Sequence, residues 1–130
     1  MPSVLQQIVD MLYNGFEKYS WVGIYLVKGD MLVLGPWNGE QATEHTRIPR
    51  GRGVCGAAAT SGKTEVVDDV SKDNRYLSCF LSTRSEIVVP IKKSQTVIGE
   101  IDIDSDQPAA FDDNDVLFLE KVADMLGSHI

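Results

Sequence analysis

The sequence is short of several things that would announce a function. It has two cysteines, Cys55 and Cys79, and two histidines, His45 and His129, in 130 residues. Neither cysteine belongs to a CxxC pair, and two thiols make no disulfide scaffold. No close Cys/His spacing points to zinc, so no metal is expected. Positive charge is scarce too: 12 Lys and Arg stand against 19 Asp and Glu, a net −7 with the histidines neutral. Nonspecific nucleic-acid binding and electrostatic membrane binding both need basic surface, and both are excluded as expectations. No apolar run approaches the ~18 residues of a membrane span, and no basic segment leads into a hydrophobic stretch at the N-terminus. Repeats and low-complexity segments are absent as well. These absences predict a cytoplasmic, soluble chain.

What is present suits one compact domain over residues 1–130. Hydrophobic residues make up 43% and charged residues 24%, close to globular averages. Ser3 and Gln6 have capping-box spacing, and Val4, Leu5, Ile8, Val9, Leu12 and Phe16 form an apolar stripe of helical period. At the other end Asp112 reads as an N-cap, with Asp113 and Asp115 in the first turn, where the helix dipole favours negative charge. Leu119, Val122, Met125 and Leu126 continue an apolar face to Gly127.

Between these helices the period changes. Residues 21–27 and 31–35 read as a hairpin turning at Lys28-Gly29-Asp30. A short strand over 44–48 ends at Pro49, and the run from Gly51 to Ala59 reads as a glycine-rich turn feeding a short helix. A strand follows near 64–67, then an irregular stretch over 68–85. Residues 86–91 and 96–104 form a second hairpin around 92–95. Antiparallel strands framed by terminal helices predict an α+β fold with one central sheet. The stretch over 68–85 is longer than an idle connection, and Tyr76, Leu77, Phe80 and Leu81 make it too apolar for a linker. It reads as a loop folding over a pocket.

Two constellations could carry chemistry. Trp21, Gly23 and Tyr25 share a strand face, so two aromatics flank a gap that a small apolar group or a neighbouring backbone could fill. Glu100, Asp102 and Asp104 share another face, which is either a solvated acidic surface or a site for a cation such as a metal or a substrate ammonium. Glu86 opens the strand next to them. If it joins Asp102 and Asp104 around one pocket, crowding raises the pKa of at least one acid, which can then hold a proton near neutral pH. A carboxylic acid beside a cysteine is equipment for reducing an oxidised sulfur. Cys55 sits at a helix start near Arg52, a place that lowers a thiol pKa, or it is simply a small buried thiol.

Together these blocks resemble a known family. Trp21-Val22-Gly23-Ile24-Tyr25, Leu34-Gly35-Pro36, Arg47-Ile48-Pro49, Gly51-Arg52-Gly53-Val54-Cys55-Gly56, Ser85-Glu86-Ile87-Val88-Val89-Pro90 and Ile101-Asp102-Ile103-Asp104-Ser105 are similar to the GAF-fold free methionine-(R)-sulfoxide reductases, from about residue 4 to 126. The resemblance implies a GAF-type domain, with a six-stranded antiparallel sheet and the N- and C-terminal helices packed on it. It implies reduction of free methionine (R)-sulfoxide, an antioxidant repair reaction, with no organic cofactor and a thioredoxin-type reductant. By matching position, Cys79 is the nucleophile and Cys55 the resolving thiol, joined in a redox-active disulfide. Glu86 and Asp104 are catalytic and, with Asp102, hold the ammonium and the sulfoxide oxygen. Trp21 and Tyr25 enclose the methyl end. A homodimer is the assembly the fold suggests by analogy.

The chain departs from the family pattern in three places. A cysteine frequent ten residues before the one matching Cys55 is His45 here. A frequent His-Ile-Ala-Cys-Asp reads Tyr76-Leu77-Ser78-Cys79-Phe80, and a frequent aliphatic two residues before Asp102 is Glu100. The alternative function is a non-catalytic GAF sensor of a small ligand, or a thiol redox switch.

Overall fold

A computed structural model of the chain describes residues 3–40, 42–43, 45–73 and 82–130. Helix α1 (Val4–Gly15) leads into β1 (Trp21–Lys28) and β2 (Met31–Gly39). Then come β3 (Arg47–Pro49), α2 (Gly53–Ser61) and β4 (Glu65–Val67). A 3₁₀ turn over Val70–Lys72 falls inside the stretch expected to be irregular. The hairpin β5 (Ser85–Lys93) and β6 (Thr96–Ser105) and the helix α3 (Asp113–Gly127) complete the fold. The six strands form one antiparallel sheet in the order β3-β2-β1-β6-β5-β4. The expected α+β architecture is the one observed.

Local chemistry explains the elements. The Ser3 hydroxyl accepts from the Gln6 N–H and caps α1. Asp112 and Asp115 form a reciprocal capping box on α3. The β5–β6 turn narrows to Ser94-Gln95, both at positive φ, as a two-residue hairpin of right-handed twist requires. Strand β2 runs four residues beyond the expected end at Gly35, through Pro36. The proline is tolerated because the register with β1 shifts opposite Ile24, while β3 pairs only with residues 31–33 on the other side.

Alternation sorts the sheet into two faces. Val22, Ile24, Ile87, Val89, Ile91, Ile101 and Ile103 pack with Val9 and Leu12 of α1 and Leu119, Ala123 and Leu126 of α3. Met125 of the expected apolar face is instead 45% exposed, because it lies well off the line through residues 119, 123 and 126 at 3.6 residues per turn. Val4 is likewise exposed in the first turn of α1. The opposite face carries Trp21, Tyr25 and Val88 beneath Val54, Cys55, Ala58 and Ala59 of α2. Among the described residues no helix is long and apolar enough to cross a membrane.

Candidate active site

The site lies on the α2 face, where strand parity places every candidate acid. Asp104 of β6 stands between Trp21 of β1 and Glu86 of β5. Asp102 stands between Gly23 and Val88, and Glu100 between Tyr25 and Pro90. Helix α2 covers this row. Gly56 lets the helix fold closely on its own entry, since a Cβ there would press on the backbone of Arg50 and Gly51.

The acidic face is therefore not a solvated surface. Glu86, Asp102 and Asp104 are 6%, 4% and 3% exposed, and Glu100 is fully buried. Cys55, itself buried, directs its Sγ to Asp102 Oδ2 at 3.4 Å. Its sulfur and one oxygen each of Glu86 and Asp102 lie within 4.8 Å of one another. A cation there would compete with protons, because burial raises the proton affinity of Asp102 and Cys55. Shared protons are the simpler reading of the set.

Electrostatics follow from burial. Loss of water raises the pKa of Asp102, opposed by hydrogen bonding with Glu86 and Cys55 and by the charge of His45. Burial raises Asp104 further, with the Asp102 charge adding and Glu86 opposing. Glu100 is raised by burial and then by Asp102, with hydrogen bonding from Cys55 opposing. Crowding is expected to raise the pKa of at least one acid among Glu86, Asp102 and Asp104; at Asp104 the Asp102 charge acts in that direction, with desolvation as the larger cause. Of the two readings of Cys55, the pKa direction follows the buried thiol and not the activated helix start. Burial pushes the thiol up, and Asp102, Glu100 and Glu86 add to it. The helix start is there, but its dipole is outweighed by dry, acidic surroundings, and the Arg52 side chain makes no cap bond and is exposed.

The aromatic gap also differs from expectation. A Cβ on Gly23 would overlap the six-membered ring of Trp21, and one on Gly39 its five-membered ring. Trp21 thus fills the gap itself, stacked on Trp37 at 6.2 Å. Tyr25 is buried and donates its hydroxyl to the His45 carbonyl at 2.6 Å. Cys79, with the rest of 74–81 in the stretch over 68–85, lies outside the described residues.

A cavity of about 440 Å³ opens at the ends of β1 and β6. Trp21 and Asp104 reach it, while Cys55, Glu86 and Asp102 do not line it. Glu17, Glu40, Thr83 and Asp106 are among its other walls, and the sequence reading passed over them. Only Asp106 carried a signal, since it extends the period of two from Asp102 and Asp104. Tyr19, also a wall, gives its hydroxyl to Asp115, which Lys18 meets at 2.6 Å. That network ties the approach to β1 to the start of α3.

Comparison with known proteins gives this geometry a context. The GAF domain profile matches residues 1–130. The free methionine-R-sulfoxide reductase of Escherichia coli (strain K12) is 37% identical over 116 residues, which span 89% of this chain and 69% of that protein. The chain belongs to the GAF-domain free methionine-(R)-sulfoxide reductase family. Two solved structures of free methionine-R-sulfoxide reductases agree in fold. The type II enzyme from Thermoplasma acidophilum superposes with a TM-score of 0.92 at 40% identity, covering 95% of this chain and 86% of that one. The protein from Neisseria meningitidis, in complex with its substrate, gives 0.89 at 43% identity, covering 95% and 74%.

Proposed function

We propose that this chain reduces free methionine (R)-sulfoxide to methionine, with Cys79 as nucleophile. The observation that carries the reading is the row of carboxyls, Glu86, Asp102 and Asp104, buried beside a thiol. A carboxylic acid in dry surroundings can donate to a sulfoxide oxygen, and a coupled carboxylate beside it can hold an α-ammonium. Membership of the reductase family supports the same substrate class. Trp21 borders the cavity and, with Tyr25, is the wall proposed for the methyl end of the substrate.

The chemistry closes without an organic cofactor. The Cys79 sulfur attacks the sulfoxide sulfur, assisted by a proton from Glu86 or Asp104 on the oxygen. The oxygen ends on Cys79 as a sulfenic acid while methionine leaves, and the thiol proton replaces the one lent by the acid. Cys55 then attacks the sulfenic sulfur. An S–S bond forms, the S–O bond breaks, and the Cys55 proton leaves in water. An external dithiol of the thioredoxin class supplies two electrons to reopen the disulfide. That demand fits a reducing compartment such as the cytoplasm. The raised thiol pKa of Cys55 suits a residue that waits rather than one that strikes first.

Racemic free methionine sulfoxide, supplied with thioredoxin, its reductase and NADPH, tests the reading. About one half should be consumed, because a chiral pocket separates the sulfur epimers. N-acetylated substrate should be ignored, since its nitrogen carries no charge. Turnover of both epimers, or of the acetylated compound, contradicts the pocket. No turnover at all favours the sensor or switch.

A further inference from the structure

Glu100 is unused by the proposed chemistry, yet it is fully buried; neither carboxyl oxygen makes a hydrogen bond of ordinary geometry among the described residues, and the polar group it acts with beside Asp102 is the Cys55 thiol. Such a group is costly, and an apolar side chain would remove the cost. Its place is specific. It shares a strand face with Asp102, whose oxygen is 3.4 Å from Cys55 Sγ, and it acts on the same thiol. We propose that Glu100 is a positioning residue that keeps Cys55 an inert thiol, so that stray oxidants do not consume it.

The physical basis is the order of ionisation. In shared surroundings a carboxyl ionises before a thiol, so an anion on Cys55 must form beside one already present. Oxidation by peroxide needs that anion: the sulfur forms an S–O bond, the O–O bond breaks and hydroxide departs. A thiol that keeps its proton reacts slowly. The other titratable groups on this face act in known directions. Glu86 of β5 and Asp102 of β6 add to the effect on Cys55, Asp104 stands next to both, and His45 favours the ionised form of Asp102. Tyr25 of β1 is engaged with the His45 carbonyl, and Lys92 of β5 is exposed, set against Gly62 at the end of α2.

The inference builds on Cys55 as the second thiol of the reaction, but its test needs only Cys55. In the Cys79→Ser background, thiolate absorbance at 240 nm is titrated against the Cys55→Ser/Cys79→Ser double variant, and loss of the thiol to hydrogen peroxide is followed by mass. Adding Glu100→Gln should lower the midpoint by roughly one pH unit or more and speed peroxide oxidation roughly tenfold at pH ~8. Glu100→Leu, which folds without a buried carboxyl, should move both in the same direction by less, because it dries the site further. Glu100→Asp should return both toward the starting values. Unchanged midpoints in folded Gln and Leu variants overturn the proposal, as does failure of Asp to restore them. Full thioredoxin-linked turnover by Cys55→Ser would instead overturn the resolving role of Cys55 and leave these titrations standing.

Discussion

Alternate residues of the same strands build two faces that exclude water equally and use that exclusion differently. On β6, Ile101 and Glu100 are adjacent and both fully buried. Ile101 enters the core under α1 and α3, where removing apolar surface from water stabilises the fold by roughly 1.5–3 kcal/mol per large side chain. Glu100, Asp102 and Asp104 enter a space roofed by α2, where removal of water raises proton affinity and costs stability. The roofs differ to match. Helices α1 and α3 present amphipathic stripes over 12 and 15 residues, while α2 is nine residues of mostly small side chains that bring a thiol onto the sheet. One face holds the domain together so that the other can hold reactive groups dry.

The sharpest way to break this comparison is through the thiols. Cys79→Ser should make no methionine even in a single turnover, if Cys79 is the nucleophile served by the acidic face. Cys55→Ser should make about one equivalent of methionine and then stall with thioredoxin. Rapid-quench counting of methionine per enzyme separates the two. An active Cys79→Ser protein would return the α2 face to a structural role.

Next in size are substitutions that should divide the faces. Ile101→Ala is expected to lower unfolding free energy by about 2–5 kcal/mol in urea titrations, with an almost unchanged Michaelis constant. Its neighbour Asp102→Asn should do the reverse, raising the Michaelis constant through a weaker ammonium contact while stability holds or improves. Equal effects on KM would mean that the faces are not functionally separate. Glu86→Gln should lower kcat by roughly 10²-fold, if its proton assists the departing oxygen. Steady-state rates close to wild type would remove Glu86 from the chemistry.

The apolar face was the more legible of the two. Period-two and helical stripes predicted β1, β5, β6, α1 and α3 to within a few residues, and Ser3 and Asp112 announced their caps. The end of β2 was not legible, because Pro36 reads as a breaker until the bulge opposite Ile24 is known. On the other face, parity placed Glu100, Asp102 and Asp104 together but could not say what covers them. The Ala-rich α2 has almost no amphipathic signal to mark it as a roof. For the same reason the sequence left Cys55 open between an activated helix-start thiol and a buried one, since the carboxyls that help raise its pKa come from strands 31 to 47 residues away in sequence. Trp21 and Gly23 were read as a gap, because spacing does not reveal that the indole folds down over the glycine.

The smallest effect, a slope of stability against pH, tests the difference between the faces most directly. Asp102, Asp104 and Glu100 have raised pKa values in the folded chain, chiefly through burial. Unfolded, they lose their protons near pH ~4. Between that point and their folded values the native state binds more protons, so stability falls as pH rises, by up to about 1.4 kcal/mol per pH unit for each group. Asp115 works in the opposite sense. Its partial burial opposes ionisation, but Lys18, Tyr19 and the Asp112 N–H outweigh it and lower the pKa, so its contribution is lost only as the medium becomes strongly acidic. Urea midpoints should therefore be highest in mildly acidic buffer and decline through neutrality. Glu100→Leu and Asp102→Asn should each flatten the decline and raise stability at pH ~8, whereas Ile101→Ala should lower the whole curve without changing its slope. A midpoint that climbs with pH from about 5 to 8, or a Glu100→Leu curve parallel to wild type, would mean that the buried acids are already charged in the folded chain.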